Sequence, residues 1–176
     1  MESKIILAGF GGQGILVAGR LLAIAAIKDK KEATHYPSYG AEMRGGTCNC
    51  SIVISEKIIA SPVIGTPSVV LAFNKPSKDK YESLAENGAI FIINNSLVEE
   101  KIKRDDLNAN YVDATNIAIK LGNVKMTNMV MLGTLAKKGI ISLDSLKLAL
   151  KEVFPNFKEE LLDLNKKAIK AGYDAV

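Results

Sequence analysis

The sequence predicts an α/β protein: a three-layer sandwich with a largely parallel, Rossmann-like central sheet, an antiparallel addition and a helical C-terminal region. Three observations predict it. Short apolar runs at 5–8, 69–73 and 89–93 are bounded by Gly, Pro or Asn, as strands buried on both faces of a parallel sheet are. Stretches with apolar spacing near 3.6 alternate with those runs, which is the βαβ pattern. The chain is 176 residues long and 48% hydrophobic, so residues 1–176 suffice for one domain with its own core.

Taken in order, the strand over 5–8 runs into Gly9. From Gly12 to Lys28 the residues Ile15, Leu16, Leu21, Leu22, Ala25 and Ala26 make a densely apolar, largely buried helix. Residues 33–46 break the pattern with Pro37, Gly40, Gly45 and Gly46, and read as a structured loop longer than most connections. Residues 47–55 alternate, with Cys48, Cys50, Ile52 and Ile54 on one side of a strand and Thr47, Asn49, Ser51 and Val53 on the other. Glu56-Lys57 then turns the chain into the apolar 58–60. Ser77 is read as the cap of a short helix through Ala85, its hydroxyl accepting an early backbone N–H. Residues 111–113 make a short strand. Helices follow at 116–121, 127–138, 143–153 and 158–171. Gly122, Gly139 and Gly172 mark their stops, Ser142 caps the third, and Pro155 follows its end.

Several function classes are excluded early. The longest apolar run, 21–27, falls far short of the roughly 20 residues of a spanning helix, and the N-terminus lacks a signal-peptide pattern. The chain therefore reads as cytoplasmic, with no membrane contact. Its net charge of +4 comes from Lys scattered along both halves, a solvated surface rather than a nucleic-acid footprint. Two cysteines complete neither a disulfide framework nor a four-Cys cluster, and Cys48 and Cys50 are read as buried apolar side chains. His35 is the only histidine; with no nucleophile in a recognisable setting, it reads as a satisfied or solvent-facing side chain. The Lys75 to Lys80 cluster reads as the solvated start of a helix. Met126, Met129 and Met131 read as packing a core or an interface.

Two segments carry candidate function. Gly9-Phe10-Gly11-Gly12-Gln13-Gly14 fits G-x-G-x-x-G between a strand and a helix, which makes Gly11, Gly12, Gln13 and Gly14 candidate ligand-binding residues. Glycines there permit a tight turn and close backbone approach, and a helix N-terminus favours phosphate. The competing reading is that these glycines only let strand and helix pack closely. A dinucleotide site also needs an acidic residue about 20 positions on; Asp29 and Glu32 lie near that distance, without a clear strand before them. The second segment, 35–47, contributes Ser38, Tyr39, Glu42 and Arg44 as candidates. Arg44 has the fork geometry for a phosphate or carboxylate, and an internal Glu42–Arg44 pair is the structural alternative.

These motifs resemble a known family. The glycine loop, Tyr39-Gly40-Ala41-Glu42-Met43-Arg44-Gly45-Gly46, the Cys48-Asn49-Cys50-Ser51 strand, Val69-Val70-Leu71-Ala72-Phe73-Asn74-Lys75-Pro76-Ser77 and Thr127-Asn128-Met129-Val130-Met131-Leu132-Gly133 look like the gamma subunit of 2-oxoacid:ferredoxin oxidoreductases. The similarity runs from Ile5 to about Gly139 and is closer to the 2-oxoglutarate and branched-chain members than to the pyruvate-specific ones, with the 2-oxoglutarate type as the leading choice. The resemblance implies a subunit that is not catalytic alone and holds no metal or cofactor by itself. The complex it implies uses thiamine diphosphate with Mg, an iron–sulfur cluster and CoA, carried with alpha, beta and delta subunits. It oxidises a 2-oxoacid to its acyl-CoA and passes electrons to ferredoxin or flavodoxin. The gamma chain is then expected to serve assembly and the CoA side of the active site. Two alternatives stay open on the residues alone: a stand-alone dinucleotide-binding oxidoreductase, and a purely structural interaction domain.

Overall fold

A computed structural model describes residues 2–39 and 46–176. Six strands, β1 (Glu2–Phe10), β2 (Glu32–Tyr39), β3 (Thr47–Ser55), β4 (Val69–Ala72), β5 (Ile90–Asn94) and β6 (Asn108–Val112), form one sheet in the order β2-β3-β1-β4-β5-β6. From β1 through β4 and β5 to β6 the neighbours are parallel, while β3 runs antiparallel to both β1 and β2. The α/β class, the parallel core and the antiparallel addition are as the sequence predicts.

Alternation along the central strands explains their unbroken apolar runs. Ile5, Leu7, Val69, Leu71 and Ile92 pack on one face with α1 (Ile15–Lys28), α3 (Ala114–Lys120), α4 (Thr127–Lys137), α5 (Leu143–Val153) and α6 (Glu159–Asp174). Ile6, Ala8, Val70, Phe91 and Ile93 pack on the other with Tyr81 and Ala85, at and just beyond α2 (Lys75–Leu84). Strands covered on both faces need apolar side chains at every position. Among the described residues, no helix is long and apolar enough to cross a membrane.

Five local expectations are corrected. Residues 32–39 are the edge strand β2, paired from Glu32↔Ser55 to Tyr39↔Cys48, where a loop is expected from Ala33 onward. An edge strand tolerates Pro37 and is freed from the demand for an apolar run. Residues 58–60 form no strand, and Ile58 is 91% exposed. Asn74 rather than Ser77 caps α2, its Oδ1 accepting from the Ser77 N–H at 2.9 Å. Gly172 lies inside α6, where it lets that helix approach α4, rather than at its end. Lys78, in the cluster read as solvated, is fully buried and pairs with Glu82 at 2.8 Å.

Asp29, just past α1, ties that helix to α5. Its carboxylate accepts from Ser142 N and Ser142 Oγ, both at 2.9 Å, and from Ser145 Oγ at 2.5 Å, while Ser142 Oγ caps α5 as expected. Burial pushes the carboxyl up, but the Ser145 and Ser142 hydrogen bonds and Lys31 outweigh it and hold Asp29 below its ordinary range. Asp29→Ala is expected to lose about 1–3 kcal/mol at pH 7, the scale of hydrogen bonds to a charged group. A depressed folded value contributes fully above the unfolded value of about 3.9 and is lost as pH falls through the folded one. Urea unfolding should therefore show the wild-type advantage at pH 7 and a narrower gap at pH 3; equal gaps would refute the charged role.

Candidate functional site

The helix after β1 lies on one face of the sheet and the helix after β4 on the other, although β1 and β4 are neighbours. That arrangement opens a crevice at the carboxyl ends of the parallel strands, the usual ligand position of an open α/β sheet. The glycine loop sits there. Gly12 (φ 95°) and Gly14 (φ 72°) adopt the left-handed conformation that favours glycine, and Gly14 is the N-cap of α1. The Gly14 carbonyl accepts from Ala18 N at 2.9 Å, and Gly11 N donates to the Gly46 carbonyl at 3.0 Å.

Two side chains hold this loop. Gln13 turns back over the end of β1: its Oε1 accepts from Phe10 N at 2.6 Å and lies 3.5 Å from Asn74 Nδ2. A Cβ on Gly9 would come within 2.5 Å of that oxygen. Asn128, buried at the start of α4, donates from Nδ2 to the Gly14 carbonyl at 3.1 Å and accepts Met129 N on Oδ1 at 2.9 Å. Close packing thus accounts for Gly9 and Gly14. It does not account for Gly12, whose absent side chain faces open space.

Gly12 stands between two clefts. The larger, about 450 Å³, is lined by Gly12, Gly14, Val17, Lys125, Met126, Met129, Phe154, Phe157, Leu161 and Asn165 among others. The smaller, about 150 Å³, includes Gln13, Leu97, Thr115 and Thr127. Lys125 lines both, and among the described residues no other charged side chain lines either. Their electrostatics favour an anion.

Of the second candidate segment, Ser38 is exposed and pairs with Asn49, and the Tyr39 backbone pairs with Cys48, itself paired with Gly9. Tyr39 and Gly46 therefore stand at the glycine-loop end of the sheet. Glu42 and Arg44 lie outside the described residues. Glu32 starts β2 at the opposite end, in register with Ser55 and through it with Glu2, and Asp29 is engaged by α5. Neither acid is placed to hold a ribose at this loop, which weighs against a stand-alone dinucleotide enzyme.

His35 is exposed; partial burial and the nearby Arg20 charge lower its imidazole below the usual range. Burial raises the Cys48 thiol, and burial with Cys48 beside it pushes Cys50 up to about 12. Both thiols stay protonated near neutrality, as packing side chains do. Met126, Met129 and Met131 are buried, as expected of core residues. Sequence reasoning missed Lys125, Phe154, Phe157 and Asn165 as neighbours of the loop, because they follow it by more than 100 positions. Asn128 was visible only inside the Thr127 to Gly133 motif.

The family model of pyruvate ferredoxin/flavodoxin oxidoreductase matches residues 4–175. The chain belongs to this family. It is 38% identical over 98% of its length to the ketoisovalerate oxidoreductase subunit VorA of Methanothermobacter marburgensis, but spans only 36% of that protein. With the 2-oxoglutarate synthase subunit KorC of Methanocaldococcus jannaschii it shares 36% identity, covering 99% of this chain and 94% of KorC. Among solved structures, it is similar to the 2-oxoglutarate:ferredoxin oxidoreductase from Magnetococcus marinus with 2-oxoglutarate, coenzyme A and succinyl-CoA bound. That match has a TM-score of 0.91 and 25% identity, over 99% of this chain and 31% of that one. The keto/oxoacid ferredoxin oxidoreductase gamma subunit from Geobacter sulfurreducens matches at TM-score 0.84 and 28% identity, over 99% of this chain and 96% of that subunit. The chain thus spans about a third of some relatives and nearly all of others. In this oxidoreductase family, the resemblance read from the glycine loop and the residues 39–46 motif is borne out.

Proposed function

We propose that residues 1–176 act as one gamma-type domain, the gamma subunit of a cytoplasmic 2-oxoacid:ferredoxin oxidoreductase that converts 2-oxoglutarate to its acyl-CoA. Alpha, beta and delta chains accompany it, with ferredoxin or flavodoxin as electron acceptor. The observation that carries this reading is the match along nearly the whole length of KorC and of a gamma subunit. Similarity to VorA makes a branched-chain 2-oxoacid the substrate to test against 2-oxoglutarate.

The chemistry of carbon–carbon cleavage and electron transfer is supplied by thiamine diphosphate with Mg and an iron–sulfur cluster on the companion chains. This chain does not fit a cluster: clusters need thiolates, and Cys48 and Cys50 are its only cysteines, both held protonated by burial. Its own contribution is at the CoA side. The Gly11, Gly12, Gln13 and Gly14 loop presents a helix N-terminus, and the segment of Ser38, Tyr39, Glu42 and Arg44 starts and ends beside it. Arg44 supplies a fork for a CoA phosphate.

Anaerobic co-purification of the tagged chain from its native cell tests the assembly. Thiamine-diphosphate and iron–sulfur subunits should be recovered, and the complex should oxidise 2-oxoglutarate faster than pyruvate or ketoisovalerate. In that complex Arg44→Ala should raise the apparent KM for CoA about tenfold, the loss of one charge-assisted contact. Recovery of the chain alone would return the stand-alone reading. An unchanged KM in an intact complex would remove Arg44 from the CoA site.

A further inference from the structure

We propose that Asn87 is a modification site: its side-chain amide closes on the backbone nitrogen of Gly88 and is lost as ammonia, leaving aspartate or isoaspartate, with Arg104 and Asp106 promoting the reaction. Its chemistry is independent of the function proposed above. Asn87-Gly88 is the only Asn-Gly pair in the sequence, and glycine is the following residue that hinders access to its nitrogen least. The pair is the exposed centre of the turn between α2 and β5, which Ala89 N closes by donating to the Glu86 carbonyl at 3.1 Å. Gly88 has φ 75°, and the space where a Cβ would stand is open, so the turn has room for the cyclic imide that forms.

Two charged side chains meet the reacting groups. Arg104 Nη2 donates to Asn87 Oδ1 at 3.2 Å, and the same guanidinium is fixed by the Glu82 and Ala85 carbonyls at 2.9 and 2.7 Å. A fixed cation on that oxygen stabilises the negative charge that builds there as Cγ is attacked. The Gly88 N–H, in turn, donates to the Asp106 carboxylate. Arg104 chiefly, with this N–H among the smaller contributions, holds that carboxyl below its ordinary range, so it is ionised at neutral pH and able to take the proton. The Gly88 nitrogen bonds to Asn87 Cγ as the Cγ–Nδ2 bond breaks, and the proton leaves with the amide group as ammonia. Water then opens the imide, at the side-chain carbonyl to give aspartate or at the main-chain carbonyl to give isoaspartate. One water enters and one ammonia departs, with no oxidant or reductant.

Peptide mapping by mass spectrometry of the full chain, incubated at neutral pH below its unfolding temperature, tests the site. Asn87 should convert about tenfold faster in the folded protein than in the same chain unfolded in guanidinium chloride, which keeps the Asn-Gly pair but disperses Arg104 and Asp106. That comparison needs no variant. Asp106→Ala, at an exposed position, should slow conversion in the folded protein to the rate of the unfolded chain. Asn108, exposed and followed by Ala109, is the internal reference and should keep its amide. Conversion no faster in the folded protein than in denaturant, an Asp106→Ala rate equal to wild type, or Asn108 converting as fast as Asn87 would each overturn the proposal.

Discussion

Gly133→Ala is expected to lower the thermal midpoint by about 6–12 °C, and Gly172→Ala by a similar amount. α4 and α6 meet backbone to backbone. A Cβ on Gly133 would overlap the Ile169 carbonyl oxygen and lie 2.8 Å from both its carbonyl carbon and Tyr173 N. A Cβ on Gly172 would overlap the Val130 carbonyl oxygen and lie 2.6 Å from its carbon. Neither neighbour is a flexible side chain that can swing aside, so two helices must separate. Thr134 Oγ1 bridges the same contact, donating to the Gly172 carbonyl at 3.1 Å, and would be pulled off it. Overpacking of this kind costs about 3 kcal/mol, and each kcal/mol shifts the midpoint of a chain this size by roughly 2–4 °C. Gly65→Ala is the control, since nothing lies within 4 Å of its Cβ position. A Gly133→Ala midpoint within about 2 °C of wild type would show that the helices part without loss.

Gly172 also shows where sequence reasoning fails. A glycine that stops a helix and a glycine that lets two helices touch look alike along the chain; only Val130, 42 positions away, tells them apart. Gly122 (φ 94°) and Gly139 (φ 77°) do mark helix ends, because there the requirement is local conformation. The same division runs through the sheet. β1, β4 and β5 were legible because burial on both faces leaves a continuous apolar run. β2 was not, because an edge strand with an exposed Tyr36 carries no such signature. α5 matches its expected limits residue for residue, since Ser142 and Pro155 are local signals at its two ends.

The candidate site divides in the same way. Spacing alone announced the glycine loop, whereas what holds and surrounds it comes from distant chain: Asn128 for Gly14, Asn74 for Gln13, and the Phe154–Phe157 corner for the cleft. Asn74 and Ser77 are both cap-type residues at the start of α2, so composition could not choose between them; backbone geometry did, with Asn74 extended just before the helix and Ser77 inside its first turn.

Glu82→Leu is expected to cost about 3–5 kcal/mol, because it leaves the Lys78 ammonium buried without its main partner. The Lys78 side chain is 1% exposed and that of Glu82 10%, and they pair one helical turn apart at 2.8 Å. Asp79, half exposed at 3.3 Å, is a poorer substitute, so it moderates the loss without removing it. Glu82 does more than neutralise Lys78. Its Oε1 accepts the backbone N–H of Lys103 and, at 3.1 Å, that of Arg104, which fastens the segment before β6 to α2. Arg104 closes the joint by donating to the Glu82 and Ala85 carbonyls at 2.9 and 2.7 Å.

The double variant Lys78→Met with Glu82→Leu should be more stable than Glu82→Leu alone, since no charge remains to be desolvated. The pH response separates the two charges. Burial pushes Glu82 up, but Lys78 and the two N–H groups outweigh it and hold the carboxyl below its ordinary range. Its contribution is complete above the unfolded value of about 4.3 and disappears as pH falls through the lowered folded one. Burial likewise opposes the Lys78 charge, but Glu82 and Asp79 raise it overall, so its contribution is complete below about 10.4 and disappears as pH rises through the folded value. Urea unfolding across pH should therefore show the gap between wild type and Glu82→Leu wide at neutrality and narrower at both extremes. A double variant no more stable than Glu82→Leu would place the loss in the Lys103 and Arg104 backbone contacts rather than in the stranded charge.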